Sequence, residues 1–423
     1  MAISNTRAIA ISISSRIVII GLSILSDAIF KDHTAQDVAH FSGRRQVGDC
    51  DTAVSSWLQA FTKWDAAHYL NIAAHSGYRE EMEVAFMPLY PSFIRLVARV
   101  IKIALPGSPD DCRGDADRLV VSALGLNAAC FVLASLVLIQ LLALWNLKQS
   151  LQLLAFWLHI FNPANIFFTT AYTESIYAAT AWLGILLLEK ERYLWACLPF
   201  FVASMIRSNG IMNAAIPACM LLCKSLTAVK TNSAASIVRL LTLLIPPCAA
   251  SLVPFLLLDN WNHSYLCSFG ASYGQTYEKA CLLQIGVPRY FGTYSFIQKK
   301  YWNVGWLQYY QLVQLPNILL AVPIVVIACA IVARRDGELN SPLLWKHKVH
   351  LSAILVIGLG WAHTEILTRL LLASCPIMYV GLASLLLDYK RGQNLFLMRL
   401  LFTYMIMFNL LGILLHVNFY PWT

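Results

Sequence analysis

The sequence predicts an all-α polytopic membrane protein, a single domain over residues 1–423 with about eleven transmembrane helices. Three observations predict it. Of 423 residues, 58% are hydrophobic and 13% charged, where a soluble domain carries roughly a quarter charged residues. The apolar residues gather in runs close to the ~20 residues that cross a bilayer as a helix, the form in which a span satisfies its own backbone. The Lys and Arg between those runs fall so that one side of the membrane collects them.

Spans are expected near 12–30, 119–145, 150–168, 172–189, 193–208, 211–228, 237–258, 312–333, 349–364, 367–388 and 396–417. Arg16 and Asp27 leave the first a short apolar core, and a signal peptide is the alternative there; either reading sends residue 31 to the same side. Residues 86–105 are also apolar, but Arg95, Arg99 and Lys102 share one helical face, so an interfacial helix is expected in place of a span. Arg7, Lys148, Lys190, Arg192, Lys224, Lys230, Arg334, Arg335, Lys346, Lys348, Lys390 and Arg391 then lie on one side, which makes the N-terminus cytosolic. The opposite side receives the loops 31–118 and 259–311, the turns after Phe161, around Arg207 and from His363 to Arg369, and the C-terminal tail.

The net charge of +9 comes from short inter-helix loops and forms no basic stripe, which argues against nucleic acid as a partner. Of 11 cysteines, Cys130, Cys219, Cys223, Cys248 and Cys329 lie inside apolar runs and read as small hydrophobes. Cys50, Cys112, Cys267 and Cys281 lie outside them and can pair only in an oxidising lumen. Cys267 with Cys281 is the candidate disulfide, two free thiols being the alternative. Asn262-His263-Ser264 is a glycosylation sequon on the same side, close to a span end.

The first large loop carries Lys63-Trp64-Asp65-Ala66-Ala67-His68-Tyr69. If residues 64–73 are helical, Asp65, His68 and Tyr69 share a face. A carboxylate beside aromatics at a membrane surface suits a general base, and it equally suits a helix cap. Pro163, in Phe161-Asn162-Pro163-Ala164-Asn165, breaks the chain at a span end, and Glu174 follows at the edge of the next span. Glu174 reads either as a functional acid or as a partner of a helix N-terminus. Arg207, Lys299 and Arg369 are cations on the side that positive-inside bias disfavours. Phosphate is their natural ligand, and intramembrane salt bridges, such as Glu365 with Arg369 at i, i+4, are the alternative. No Walker loop, dinucleotide fingerprint or zinc ligand set is present, and His363 with Glu365 lacks zincin spacing, so a soluble nucleotide donor is not expected.

In chain order these motifs resemble the family of the second mannosyltransferase of glycosylphosphatidylinositol (GPI) anchor assembly. The resemblance rests on Trp64-Asp65 with His68-Tyr69, Gly77-Tyr78 through Glu80-Glu81, Ala85-Phe86 with Pro88-Leu89-Tyr90-Pro91, and Phe161-Asn162-Pro163-Ala164. It continues through Tyr172 with Glu174-Ser175, Arg207-Ser208-Asn209-Gly210, Tyr301-Trp302-Asn303-Val304-Gly305 and Phe419-Tyr420-Pro421-Trp422-Thr423. It implies a GT-C glycosyltransferase fold, a dolichyl-phosphate-mannose donor, and inverting transfer of an α1,6-linked second mannose to the GPI glycolipid. It implies an endoplasmic reticulum membrane protein with a lumenal site, and leaves open a small membrane accessory subunit.

On that reading Asp65 is the functional carboxylate, taking the proton of the acceptor hydroxyl, and some of Arg207, Lys299 and Arg369 hold the donor phosphate. Trp64, His68, Tyr69, Asn162, Glu174, Asn209, Tyr301, Trp302, Asn303 and His363 line the substrate pocket, aromatic faces suiting the apolar face of a mannose ring. Many GT-C enzymes show two acids around one residue. Here Asp65 is followed by Ala66 and Ala67, which argues against a metal-bound donor, so no metal and no cofactor beyond the lipid-linked sugar is expected. Another dolichol-phosphate-sugar transferase is one rival. A transporter or flippase using Glu174, Arg207, Glu365 and Arg369 is a second, against which stands the lack of an internal repeat.

Overall fold

The computed structural model describes residues 3–33, 54–105, 112–230, 234–273, 292–392, 394–420 and 422. Among them all regular structure is helical. In order these are α1 (Asn5–Ile29), α2 (Asp65–His75), α3 (Leu89–Ala104), α4 (Cys112–Leu144), α5 (Gln149–Ile160), α6 (Glu174–Glu189), α7 (Cys197–Ile206) and α8 (Ala215–Lys230). There follow α9 (Ala234–Tyr273), α10 (Gly292–Trp302), α11 (Leu315–Ala333), α12 (Trp345–Trp361), α13 (Leu367–Ser374), α14 (Ile377–Arg391) and α15 (Leu395–Val417).

Six helical stretches are long and apolar enough to cross a membrane: Asn5–Ile29, Arg113–Leu144, Ser208–Val229, Ala234–Cys267, Leu312–Ala333 and Leu395–Val417. The expected span 367–388 is not continuous. It is two helices bent by 96°, because Pro376 has no N–H to carry α13 onward and instead opens α14. The expected spans 150–168, 172–189, 193–208 and 349–364 are the apolar helices α5, α6, α7 and α12 of 12, 16, 10 and 17 residues. At 1.5 Å per residue these fall short of a hydrocarbon core of ~30 Å. Each of the eleven expected segments thus contains a helix, while seven satisfy length and hydropathy when the bent pair is counted as one span.

The shortfall is explained best between α5 and α6, where the chain leaves α5 just before Pro163 and residues 162–173 run as buried turns. Backbone groups there must find partners, since neither helix nor water supplies them. Side chains do so. Asn127 Nδ2 donates to the carbonyls of Thr170 and Tyr172, Asn409 Nδ2 to those of Phe161 and Asn162 at 2.8 Å each, and Asn165 Nδ2 to Ile160 O at 2.9 Å. Arg16 does not weaken α1 by facing lipid. It is 1% exposed, lies 3.7 Å over the Phe131 ring, and donates to Asn165 Oδ1 at 2.6 Å and Thr169 Oγ1 at 2.8 Å.

The core is centred on α6, which packs against α4, α7 and α13. Its residues are buried on nearly every face because no side of it meets lipid or water. Trp182 and Tyr379 both pack edge-on against His159, at 5.3 and 5.2 Å, each such ring adding ~1.5–3 kcal/mol by burial. With Glu174 opening α6 and Arg369 on α13, this packing brings two expected site residues to one end of the core.

In α3, Tyr90, Ile94 and Ala98 are buried while Leu96, Val100 and Ile103 face outward beside Arg99 and Lys102. The loop expected over 259–311 is narrower than anticipated, since α9 continues to Tyr273 and α10 occupies Gly292–Trp302. Asn262 lies on α9 and is 4% exposed. Asn262 therefore lacks the exposed loop setting in which a glycan is ordinarily carried.

Candidate functional site

Asp65 is the first residue of α2, and the residue before it, Trp64, takes φ 61°, ψ −136°. This left-handed backbone is uncommon for a bulky side chain. It turns the chain sharply into α2 and leaves Asp65 at a helix N-terminus, where a negative charge is favoured. The Asp65 N–H donates to Tyr172 Oη at 3.2 Å. Glu174 likewise opens α6.

Two guanidiniums pair with these acids. Arg369 donates from Nη1 and Nη2 to Asp65 Oδ2 at 3.2 Å each, and its Nη1 is 3.6 Å from Glu174 Oε1. Arg207 Nη1 meets the same Glu174 oxygen at 2.5 Å and Thr173 Oγ1 at 2.9 Å. The chain of charges runs Asp65, Arg369, Glu174, Arg207. The Asp65 side chain is 38% exposed and that of Glu174 0%, so Asp65 can meet a substrate and Glu174 can only hold the two arginines.

Phe167 and Tyr172 floor this cluster, their ring centroids 4.8 and 5.3 Å from the Arg369 guanidinium. Asn209 accepts from Arg207 Nε at 3.1 Å and donates to Ser374 Oγ at 2.9 Å, tying the α7 end to α13. Gly210 is required at that turn, since a Cβ there would lie 2.5 Å from Ser204 Cα. The i, i+4 pair of Glu365 with Arg369 does not form. Thr364–Ile366 is a 3-10 turn, which removes the α-helical spacing the pair needs. Glu365 takes a hydrogen bond from Tyr309 at 3.2 Å and faces His363 at 3.5 Å.

On the other flank His68 stacks on Phe86 at 4.7 Å, and Tyr69 and Trp302 meet Phe86 edge-on at 5.1 and 6.0 Å. Burial pushes the His68 imidazole below its ordinary value, with Asp65 and Glu80 opposing in part. Burial likewise raises the Tyr69 phenol. Tyr301 donates to Glu81 at 2.8 Å, and Lys300 pairs with the same Glu81 oxygen at 2.6 Å.

The structure therefore brings together Asp65, Glu174, Arg207, Asn209 and Arg369, with His68, Tyr69 and Trp302 as an aromatic flank. Others stand apart. Lys299 is exposed on α10 and absent from the chain of ion pairs among the described residues. Asn303 is exposed, and His363 is stacked on Tyr309 at 4.4 Å. Asn162 is 0% exposed and bonds to His159 O, Asn165 Oδ1 and the Ala164 N–H. That correction follows from the buried turns after Pro163, which consume its amide. Cys267 is disulfide-bonded, and Cys281 lies outside the described residues, as does Cys50.

Sequence reasoning missed Tyr172 and Tyr294 as contributors. The hydroxyl of Tyr294 is 2.8 Å from that of Ser208, and nothing in its spacing marks it. Tyr172 carried a signal, two residues before Glu174.

Residues 6–335 and 330–423 match the family described as mannosyltransferase (PIG-V). A human protein named GPI alpha-1,6-mannosyltransferase 2 is 28% identical over 505 residues, covering 99% of each chain. A Cricetulus griseus protein of the same name is 27% identical over 506 residues, again covering 99% of each. The structure also superposes on the Archaeoglobus fulgidus oligosaccharyltransferase in complex with zinc and sulfate, with a TM-score of 0.44 at 10% identity. That match covers 97% of this chain and 53% of the other, so the chain spans about half that protein's length. Matched along nearly its whole length, the chain belongs to the mannosyltransferase (PIG-V) family.

Proposed function

We propose that the protein adds the second, α1,6-linked mannose to a GPI-anchor intermediate, taking it from dolichyl-phosphate-mannose at the lumenal face of the endoplasmic reticulum membrane through a GT-C fold. The observation that carries this reading is an exposed carboxylate, Asp65, linked through buried Glu174 and Arg369 to a second guanidinium, Arg207.

In this mechanism Asp65 accepts the proton of the acceptor hydroxyl as its oxygen attacks the anomeric carbon. The bond between that carbon and the phosphate oxygen breaks, and its electron pair leaves with dolichyl phosphate. One displacement on a β-linked donor gives an α-linked product, hence inversion. Arg207 and Arg369 receive the charge that develops on the leaving phosphate, a task suited to guanidinium. Both are 14–15% exposed in the side chain, so they are reachable without being solvated. His68, Tyr69 and Trp302 bound the sugar. No divalent metal is assigned a role, since the two guanidiniums already supply the positive charge. The lumenal assignment is supported by the disulfide at Cys267, two residues beyond Tyr265, whose hydroxyl donates to Tyr78 O on the segment that follows α2.

The test is purified protein with dolichyl-phosphate-mannose and a one-mannose GPI intermediate, followed by linkage analysis. An α1,6-linked product is expected, formed equally in EDTA. No transfer, another linkage, or a strict requirement for added metal would overturn the corresponding part.

A further inference from the structure

Lys63 is a lysine buried next to the site, and the mechanism above does not use it. Its side chain is 4% exposed. Nζ donates to Asp27 Oδ1 at 2.6 Å, Asp32 Oδ1 at 2.5 Å and Val417 O at 2.5 Å, which uses all three of its N–H groups. It also sits 5.0 Å over the Phe419 ring. Lys63, immediately before Trp64, thus ties together the end of α1, the segment just after it and the C-terminal end of α15.

The end of α15 and the segment after it also hold Trp64 directly. Trp64 Nε1 donates to His416 O at 3.1 Å, and its ring lies 5.8 Å from that of Phe419. The segment is itself fixed: the His33 N–H donates to Asn418 O at 2.9 Å, Asn418 Nδ2 to Ser26 Oγ at 2.9 Å, and His33 stacks on Tyr420 at 5.2 Å. Phe419 is held at φ 58°. On its inner side the His416 ring packs against Phe167 and Tyr172 at 5.2 and 5.3 Å, the two rings that floor Arg369. Trp64 and Phe419, both in the left-handed region, therefore face one another across Lys63. Strain of that kind persists only where surrounding contacts over-determine it.

We propose that Lys63 and His416–Tyr420 form a clamp that holds Trp64 in its left-handed conformation and so sets the position of Asp65 against Arg369. Lys63 is a positioning residue. It touches neither Asp65 nor the ion-pair chain, and acts by fixing the backbone from which Asp65 emerges. The inference rests on the reading of Asp65 as the base.

The experiment measures kcat and both KM values, with the thermal midpoint in detergent, for wild type and for Lys63→Met, Lys63→Arg, Phe419→Gly and Asp65→Asn. Misplacing a reacting group by about 1 Å can cost ~100-fold in rate. Lys63→Met is expected to lose about that much in kcat with donor and acceptor KM within about twofold, and Lys63→Arg to recover most of it. Phe419→Gly relieves its own backbone while removing the ring over Lys63, and is expected to lose kcat in the same way. It decides the matter if Lys63→Met does not fold. Lys63→Met or Phe419→Gly folded with wild-type kcat, or a kcat loss that Lys63→Arg does not rescue, overturns the clamp. Near-normal turnover by Asp65→Asn overturns the base assignment and the clamp with it, whereas an inactive Asp65→Asn beside a fully active Lys63→Met overturns the clamp alone.

Discussion

Asp65 meets Arg369 through one oxygen only. Both guanidinium contacts go to Oδ2, and among the described residues Oδ1 accepts no hydrogen bond, which leaves it open to a proton. Asp65→Asn keeps size and removes that capacity. It is expected to lower kcat by about 10²–10⁴-fold while the thermal midpoint stays near wild type, the scale of general-base catalysis; near-normal mannosylation would remove Asp65 from the chemistry. Arg207 serves the donor in this reading, so Arg207→Ala is expected to raise donor KM about tenfold, and Arg207→Lys to recover part of it because charge survives and the bidentate fork does not. Unchanged donor dependence would leave Arg207 as a partner of Glu174 only. His68 gives a pH signature. Burial holds its imidazole below the ordinary 6.5, so below that pH the unfolded chain takes up a proton the folded one resists, and stability falls on acidification. Between about pH 7.5 and pH 5.5 the thermal midpoint of wild type should fall further than that of His68→Phe; parallel curves would show that His68 titrates alike in both states.

At the scale of elements, the turn after α7 carries Arg207 and depends on Gly210. A methyl there meets Ser204 Cα at 2.5 Å, so the turn must move. Gly210→Ala is expected to cost about 1–3 kcal/mol and to raise donor KM in the direction of Arg207→Ala. A variant with wild-type melting and donor KM would show the turn to be tolerant. Hydropathy made the helices legible, because each expected span contains a helix. It could not show where helices stop inside apolar surroundings. Residues 161–173 are as apolar as a span, yet Pro163 and the amides of Asn127, Asn165 and Asn409 make irregular backbone affordable there. Spacing likewise suggested Glu365 for Arg369, and a 3-10 turn gave Arg369 to Asp65, 304 positions away in sequence. Such a pairing has no local signature. Trp64-Asp65, Glu174 and Arg207 were legible as unusual charges on one side, whereas Lys63 looked like any loop lysine until its three acceptors were seen.

Across the whole molecule, α6 joins two buried charge clusters, and they are built differently. At one end Glu174 holds Arg207 and Arg369 beside an exposed Asp65. At the other, Glu189 accepts from Lys346 at 2.9 Å and His347 at 2.6 Å, with side chains 9%, 11% and 1% exposed. The first cluster has an opening at Asp65, whose side chain is 38% exposed; the second is closed and paired by its neighbours on α12. Breaking a buried pair by removing one partner costs more than the pair contributes, because it strands the other charge. Fifteen residues of helix at 1.5 Å each put the two ends about 22 Å apart. Glu189→Gln is therefore expected to lower stability by about 3 kcal/mol, read as a lower thermal midpoint, with kcat/KM for both substrates within about twofold of wild type at a temperature where both are folded. A loss of turnover comparable to Asp65→Asn in the folded variant would mean that α6 couples its two ends and that catalysis is not confined to the Asp65 face.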